Sequence, residues 1–358
     1  MKFTISTVKF QEMLSKASRG ASCNKQIPLT NLIGIELVSG NLELITTDAT
    51  NYLIVSETDV QGEDGYVTLE LDTLSKLVPK ITSETITLEL SDKYLNVVGN
   101  GSYKLEIPME NDAVVHFPVP SLGEGDTIGD ISLSDIKTML ATIRPSLATT
   151  YEMPFYMHYY VADTVLGTDT VKASAYKKQV LDGVPRLLNV NLVNLLDVMT
   201  DDTIHVIGTD DKIKFVSSNC TVFGTMPSGI EDFNAEAVNG LVSQEFPDMC
   251  KVNKADILGA LDRIKLFVGV YDDGAITLHF DNDKLTISSK STTGVEEIAY
   301  TSSLPDIKRI DFTCVIEINT LFTQIHAQVS NTINIEFGLP NVLKLVDEDT
   351  VSVIALFT

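Results

Sequence analysis

No stretch of this 358-residue sequence approaches the ~20 consecutive apolar residues that a bilayer-spanning helix requires. Its opening, MKFTISTVKF, is polar and alternating and lacks the apolar core of an export signal. Cysteine is sparse. Cys23, Cys220, Cys250 and Cys314 are scattered without CxxC spacing, so they read as free thiols in a reducing compartment. These absences predict a soluble, cytoplasmic chain. Enzyme signatures are missing as well: there is no P-loop and no GxSxG elbow. His116, His158, His205, His279 and His326 show no HExxH or other metal-ligand spacing. GNGSYK (99–104) falls in a hairpin rather than a strand-to-helix turn, and Asp210-Asp211 and Asp272-Asp273 read as turn residues. No catalysis, cofactor or metal is expected.

Positive charge is the other scarcity. The 26 Lys and Arg face 49 Asp and Glu, a formal charge of −23. A polyanion repels a polyanion, so loose electrostatic binding to nucleic acid is disfavoured unless the cations collect on one face. The apolar fraction of 44% is that of a globular protein, and the length suits two or three domains.

What the sequence does have is repetition. ISTVKFQEMLSKAS (5–18), ISLSDIKTMLATIR (131–144) and VNKADILGALDRIK (252–265) share one pattern. A cap residue (Ser6, Ser132, Asn253) stands seven positions before a matched pair: Met13-Leu14, Met139-Leu140, Ala260-Leu261. Apolar residues at helical spacing lie between. A second helical element recurs at LDTLSKLV (71–78), VNLVNLLD (190–197) and INTLFTQI (318–325), with Asp72, Asn191 and Asn319 as expected N-caps. Alternating hairpins follow, headed by Thr85, Thr203 and Thr332, in steps of 118 and 129 residues. Alternation interrupted by a polar or Gly/Pro-containing turn predicts antiparallel strands with one buried face. The fold class is therefore α+β, with antiparallel sheets, in three repeats: 1–125, 126–250 and 251–358. The joints are placed at VPSLGEGDTIGD (119–130) and after SQEFPD (243–248).

The helices hold an enrichment of cations: Lys9, Lys16 and Arg19, then Lys76 and Lys80, Lys137 and Arg144, and Lys254, Arg263 and Lys265. Acids are interspersed, and most of the rest fall in strands and loops. If the helices face one way, that side is less negative than the other.

These residues resemble the three-domain bacterial-type sliding clamp, the processivity subunit of replicative DNA polymerase. The resemblance spans the chain. It rests on MKFT, on IPLTNLIGIEL followed by LELITTDAT, on EFPDMCKV at the second joint, and on the tripled unit. It implies a head-to-tail homodimer closing as a ring around duplex DNA, with helices lining the hole and sheets outside. Enclosure reconciles the net charge, because a sliding contact touches phosphates without reading bases. Implied partners are double-stranded DNA, the replicative polymerase, a clamp loader, other proteins with short clamp-binding peptides, and a second copy of the chain.

Three sites follow from the resemblance. For DNA contact it implies the helix cations Lys9, Lys16, Arg19, Lys76, Lys80, Lys137, Arg144, Lys254 and Arg263. It adds Asn24 and Lys25 in the loop SRGASCNKQIP (18–28), and Tyr151. For the partner-peptide groove it implies Ser174, Tyr176, Lys177, Lys178, Gln179, Pro247, Lys251, Val252, Ile354, Ala355, Leu356 and Phe357. For the dimer it implies Tyr103 and Leu105 meeting Leu266 and Phe267 of the other subunit. The family's Thr-Asp-Gly-His-Arg-Leu is matched to Ser174-Ala175-Tyr176-Lys177-Lys178-Gln179, and its Met-Pro to Ile354-Ala355. These departures mark a divergent member, of cellular or phage origin, whose groove takes a different peptide. An acidic DNA mimic, or a structural ring reusing the fold, are the alternatives.

Overall fold

The computed structural model describes residues 1–358 except 111–112, 120–121, 123–124, 270–271, 282, 291–292, 303–309 and 358. Residues 120–121 and 123–124 of the first expected joint thus lie outside the described residues. Three passes of the same element order are present. In the first, strand Lys2–Ser6 runs into α1 (Thr7–Ala17), and α2 (Leu71–Leu77) follows after the intervening strands. In the second, strand Asp126–Ser132 leads to α3 (Leu133–Ile143) and later to α4 (Val190–Leu195). After an extra helix, α5 (Ala235–Val242), the third has strand Asp248–Asn253, α6 (Lys254–Ile264) and α7 (Ile318–Ala327).

The first helices match in length, 11 residues each, because each buries the same spacing. Phe10, Met13, Leu14 and Ala17 of α1 and Ile257, Ala260, Leu261 and Ile264 of α6 are all buried, one face of a 3.6-residue period. Each helix then tightens into a single 3-10 turn, at Ser18–Gly20, Arg144–Ser146 and Lys265–Phe267. The Asn253 side chain caps α6, accepting from the amides of Ala255 (2.9 Å) and Asp256 (3.2 Å).

Four of the other expected caps need correction. Ser6 flanks α1 without a side-chain cap bond. Asp72, Asn191 and Asn319 lie inside their helices. The cap of α7 is Glu317, whose carboxylate accepts from the amides of Asn319 (2.9 Å) and Thr320 (2.5 Å). A Glu reaches the first-turn amides from two residues earlier than the Asn expected there, and Asn319 donates its own amide to the same carboxylate, at 2.8 Å.

The strand before each first helix pairs antiparallel with the strand heading the expected hairpin. Lys2–Ser6 pairs with Thr85–Ser91, Asp126–Ser132 with Thr203–Gly208, and Asp248–Asn253 with Thr332–Phe337. The chain divides into two compact units, residues 1–133 with 191–226, and residues 134–190 with 227–358. This division splits the middle repeat, because strands of neighbouring repeats hydrogen-bond into shared sheets. In the first unit, Asn51–Glu57 pairs with Cys220–Thr225 inside an eight-stranded sheet. In the second, Lys172–Tyr176 pairs with Thr350–Ala355 inside a nine-stranded sheet. Each unit also holds a smaller sheet with an edge strand that pairs on one side only among the described residues: Ser102–Glu106 in the first, Val295–Ala299 in the second. The second unit's core centres on Phe280 stacked on Phe337, ring centroids 4.1 Å apart. Among the described residues no helix is long and apolar enough to cross a membrane.

Candidate functional site

The junction between neighbouring repeats is built twice from the same parts. In the first unit, the turn 47–51 is closed by Thr47 Oγ1 donating to the Asn51 carbonyl (2.6 Å) and accepting from the Ala49 amide (3.0 Å). Asp48 Oδ1 accepts from the amides of Thr50 (2.9 Å) and Asn51 (2.7 Å). In the second unit, the turn 168–172 repeats every bond: Thr168 Oγ1 to the Lys172 carbonyl (2.8 Å), the Thr170 amide to Thr168 Oγ1 (3.0 Å), and the amides of Val171 (3.0 Å) and Lys172 (2.9 Å) to Asp169 Oδ1. Ala49 and Thr170, at the same position, both adopt positive φ, 82° and 74°. The end of the neighbouring repeat's last strand is fastened alike. The Thr225 amide donates to the Thr50 carbonyl (3.2 Å), and the Ala355 amide to the Val171 carbonyl (2.8 Å).

This pairing decides which of the expected groove residues reach the surface. A Thr-Asp pair, the dipeptide with which the family string begins, stands at Thr168-Asp169, six positions before Ser174. Ser174 is wholly buried, bonded to Ser146 (2.6 Å) and Ser352 (2.7 Å). Gln324 donates to Ser146 (2.7 Å). Tyr176 is buried too. Its phenol is held above the usual range first by burial, then by the carboxylates of Asp349, Asp135 and Glu348. Val252, Ile354 and Leu356 belong to the core: Val252 alternates with exposed Lys251, whereas the last strand is buried on both faces from Thr350 to Ile354. The surface at this joint is offered instead by Lys177, Lys178, Gln179, Pro247, Lys251 and Phe357, with half-buried Ala355 and the exposed Val171 that the sequence reading passed over. The signal for Val171 was available: TTDATN (46–51) and GTDTVK (167–172) are the two turns in one-letter form. Lys344, almost buried, fixes the approach of the joint, bonding the Gln244 carbonyl and Glu336 (both 2.9 Å) beneath the Phe246 ring.

The cations divide into two sets. Lys9 pairs with Glu57 (2.6 Å), Lys76 with Asp72 (2.7 Å), and Arg263 bidentately with Glu296 (2.7 and 2.6 Å). Lys254 donates to the Gln328 carbonyl. Arg19, Lys25 and Lys80 are exposed, and no ion pair to them is formed among the described residues. Lys16 and Lys137 are half-buried, and Arg144 is exposed. Asn24 is a loop fastener, its side chain accepting from the Gln26 amide (2.9 Å) and its amide donating to Thr30 (3.0 Å). Tyr151 is 88% exposed.

The four residues expected at a dimer contact are apolar and offered to solvent. Leu266 is 82% exposed, Phe267 and Tyr103 are exposed, and Leu105 is half-buried. Tyr103 and Leu105 stand on the open strand Ser102–Glu106. Beside it lies a cavity of about 600 Å³, lined by Leu105, Ile107, Met109, Lys93, Lys104 and Glu70 among others. Among the described residues, no three His, Cys, Asp or Glu side chains could together hold a metal ion.

Three strand–helix–hairpin repeats, joined through shared antiparallel sheets, define a DNA-clamp fold of the bacterial type. Residues 1–115 match the family model for the N-terminal domain of the DNA polymerase III beta subunit. The chain is 21% identical to the beta sliding clamp of Bacillus subtilis over 334 residues, 87% of this chain and 82% of that protein. A crystal structure of the Bacillus subtilis clamp superposes with a TM-score of 0.88 at 18% identity, covering 100% of this chain and 99% of that one. The DNA polymerase III beta subunit of Pseudomonas aeruginosa gives 0.85 at 14% identity, covering both chains completely. This chain is thus similar in sequence to a bacterial sliding clamp and shares the fold of the solved clamps.

Proposed function

We propose that the chain is a sliding clamp. Its three domains are 1–125, 126–250 and 251–358, and two copies close head to tail around duplex DNA and tether the replicative polymerase. The observation that carries this reading is the pair of open sheet edges, Ser102–Glu106 and Val295–Ala299, each beside exposed apolar residues. An edge strand in each of the two units invites pairing, and head-to-tail pairing of unlike edges generates a ring. Leu266 and Phe267 of one copy fill the cavity beside Leu105 of the other, giving the desolvated apolar centre that a lasting interface needs. DNA is held by enclosure, with Arg19, Lys25, Lys80 and Tyr151 as contacts. Lys9, Lys76 and Arg263 contribute less, because each already has a carboxylate partner. The polymerase, the loader and other partners dock a peptide on the surface formed by Val171, Pro247, Lys251, Ala355 and Phe357.

The test is topological. Cysteines replacing Leu105 and Leu266, in a chain with Cys23→Ser, are oxidised in the presence of plasmid. Covalent rings that stay on circular plasmid through detergent and leave when it is linearised are expected. Equal retention on circular and linear DNA would remove the enclosing mechanism. Absence of a covalent dimer would remove the interface.

A further inference from the structure

The first junction has the construction of the second, but its lining differs. At the second junction the reading above places a peptide groove. The first also has a cavity, of about 190 Å³, at its turn 47–51. Arg19, Ser22, Asp48, Asn191, Asn194 and Leu195 line it, with the backbone of Gly20 and Ala21 between. Asp48 comes from the turn that matches Asp169. Arg19 and Gly20 come from the 3-10 turn that follows α1, as Arg144–Ser146 follows α3. Asn191 and Asn194 come from α4, the element that α7 repeats.

The chemistry of the lining is anion-seeking. Asp48 brings the only carboxylate, and its oxygens are spent on its own turn: Oδ1 on two backbone amides, Oδ2 on the Asn51 amide group (2.9 Å). Arg19 brings a guanidinium with five donors in a planar fork and forms no ion pair among the described residues. Asn191 adds an amide donor, and Leu195 supplies one apolar wall. A planar carboxylate next to a small aliphatic side chain matches this set.

We propose that the first junction is a second docking site, which takes a short peptide segment with an Asp or Glu side chain beside an aliphatic one. The inference rests on the reading of the second junction as a peptide groove. The two sites divide the partner's sequence between them, the second taking apolar residues and the first an acidic one. A partner long enough to engage both gains by effective concentration rather than by new contacts.

The experiment is an NMR titration of the full-length chain, with the asparagine side chains, arginine Nε groups and valine methyls labelled. The probes are N-acetyl-Asp-Leu-amide, its uncharged twin N-acetyl-Asn-Leu-amide, and N-acetyl-Leu-Phe-amide for the second junction. Saturable shifts at Asn191, Asn194 and Arg19 are expected with the Asp probe. Binding should weaken by about tenfold with the Asn twin and in Arg19→Gln, the loss of one charge-assisted contact. Silence at those three residues, or equal binding of the twin, would overturn the proposal. A short DNA duplex should shift Arg19, the one lining residue assigned to DNA above; displacement of the Asp probe by a duplex that also shifts Asn191 would overturn the proposal, because a backbone phosphate would then be the occupant. The Val171 methyls, read with the Leu-Phe probe, report separately on the groove: its failure and this one are distinguishable.

Discussion

Cys220, Cys250 and Cys314 are buried while Cys23 is exposed, and burial alone separates their chemistry. It pushes the thiols of Cys220 and Cys314 up to about 12 and raises that of Cys250 as well; Lys16 draws Cys220 only partly back. A thiolate is the reactive species. A disulfide-exchange reagent at pH 8 should therefore titrate one thiol in the native protein, Cys23, and four after denaturation; a Cys23→Ser chain should be unreactive until unfolded. Glu317 shows the opposite balance. Burial opposes its ionisation, but the side chain and amide of Thr320 and the amides of Asn319 outweigh burial, leaving its carboxyl below the ordinary carboxylate range. A depressed carboxyl stabilises the fold above its unfolded value, and the benefit is lost as pH falls through the folded value. Glu317→Gln should cost roughly 0.5–1 kcal/mol at pH 7. In denaturant titrations the gap between variant and parent should close below pH 4.5.

Elements were legible where one face decides them. The spacing Phe10, Met13, Leu14, Ala17 and its counterpart in α6 place both helices, and alternation places the hairpins at residues 85, 203 and 332. Caps were less legible, because Asp72, Asn191 and Asn319 are good cap residues by type, while only strand pairing decides where a helix begins. The expected groove residues were misread for a similar reason. Ser174 and Tyr176 look polar and available in sequence, yet both are buried, Ser174 among Ser146, Gln324 and Ser352. The likeness of the two turns is visible only when TTDATN and GTDTVK are set side by side. Close approach is legible in structure alone. A Cβ on Gly20 would stand 2.3 Å from Thr46 Oγ1 and 2.7 Å from Leu53 Cβ, and Thr46 is already bonded to the Ala17 carbonyl (2.6 Å). Gly20→Ala should destabilise by about 1–3 kcal/mol, the cost of overpacking, measured as a lower denaturation midpoint with unchanged slope.

For the whole molecule, the proposed clamp works by association, and the residues proposed for that contact are few. Leu266→Ala with Phe267→Ala removes the most exposed apolar pair at the end of α6. Sedimentation should show the double variant shifted toward monomer at concentrations where the parent is dimeric. Neither side chain is in the buried core, so thermal stability of the monomer should change little. An unchanged oligomer would remove the pair from the interface. The net charge of −23 predicts that a linear duplex of a few tens of base pairs forms no lasting complex at physiological salt, since few phosphates are neutralised when the cations are dilute or already paired. Persistence should depend on the DNA having no end to slide off.

The sharing of sheets across repeats also governs how such a gene can be shortened. A product ending near residue 250 would keep Lys172–Tyr176 but lose the strand that covers it, baring a ladder of unpaired amides above Ala173 and Ala175, which are buried in the intact protein. Such edges recruit other chains. A truncated two-repeat product should accumulate as insoluble aggregate rather than as a smaller ring. Losing a repeat is therefore not a gradual route from this chain to one with fewer domains: descent along that line would require a new last strand at the moment the old one was deleted.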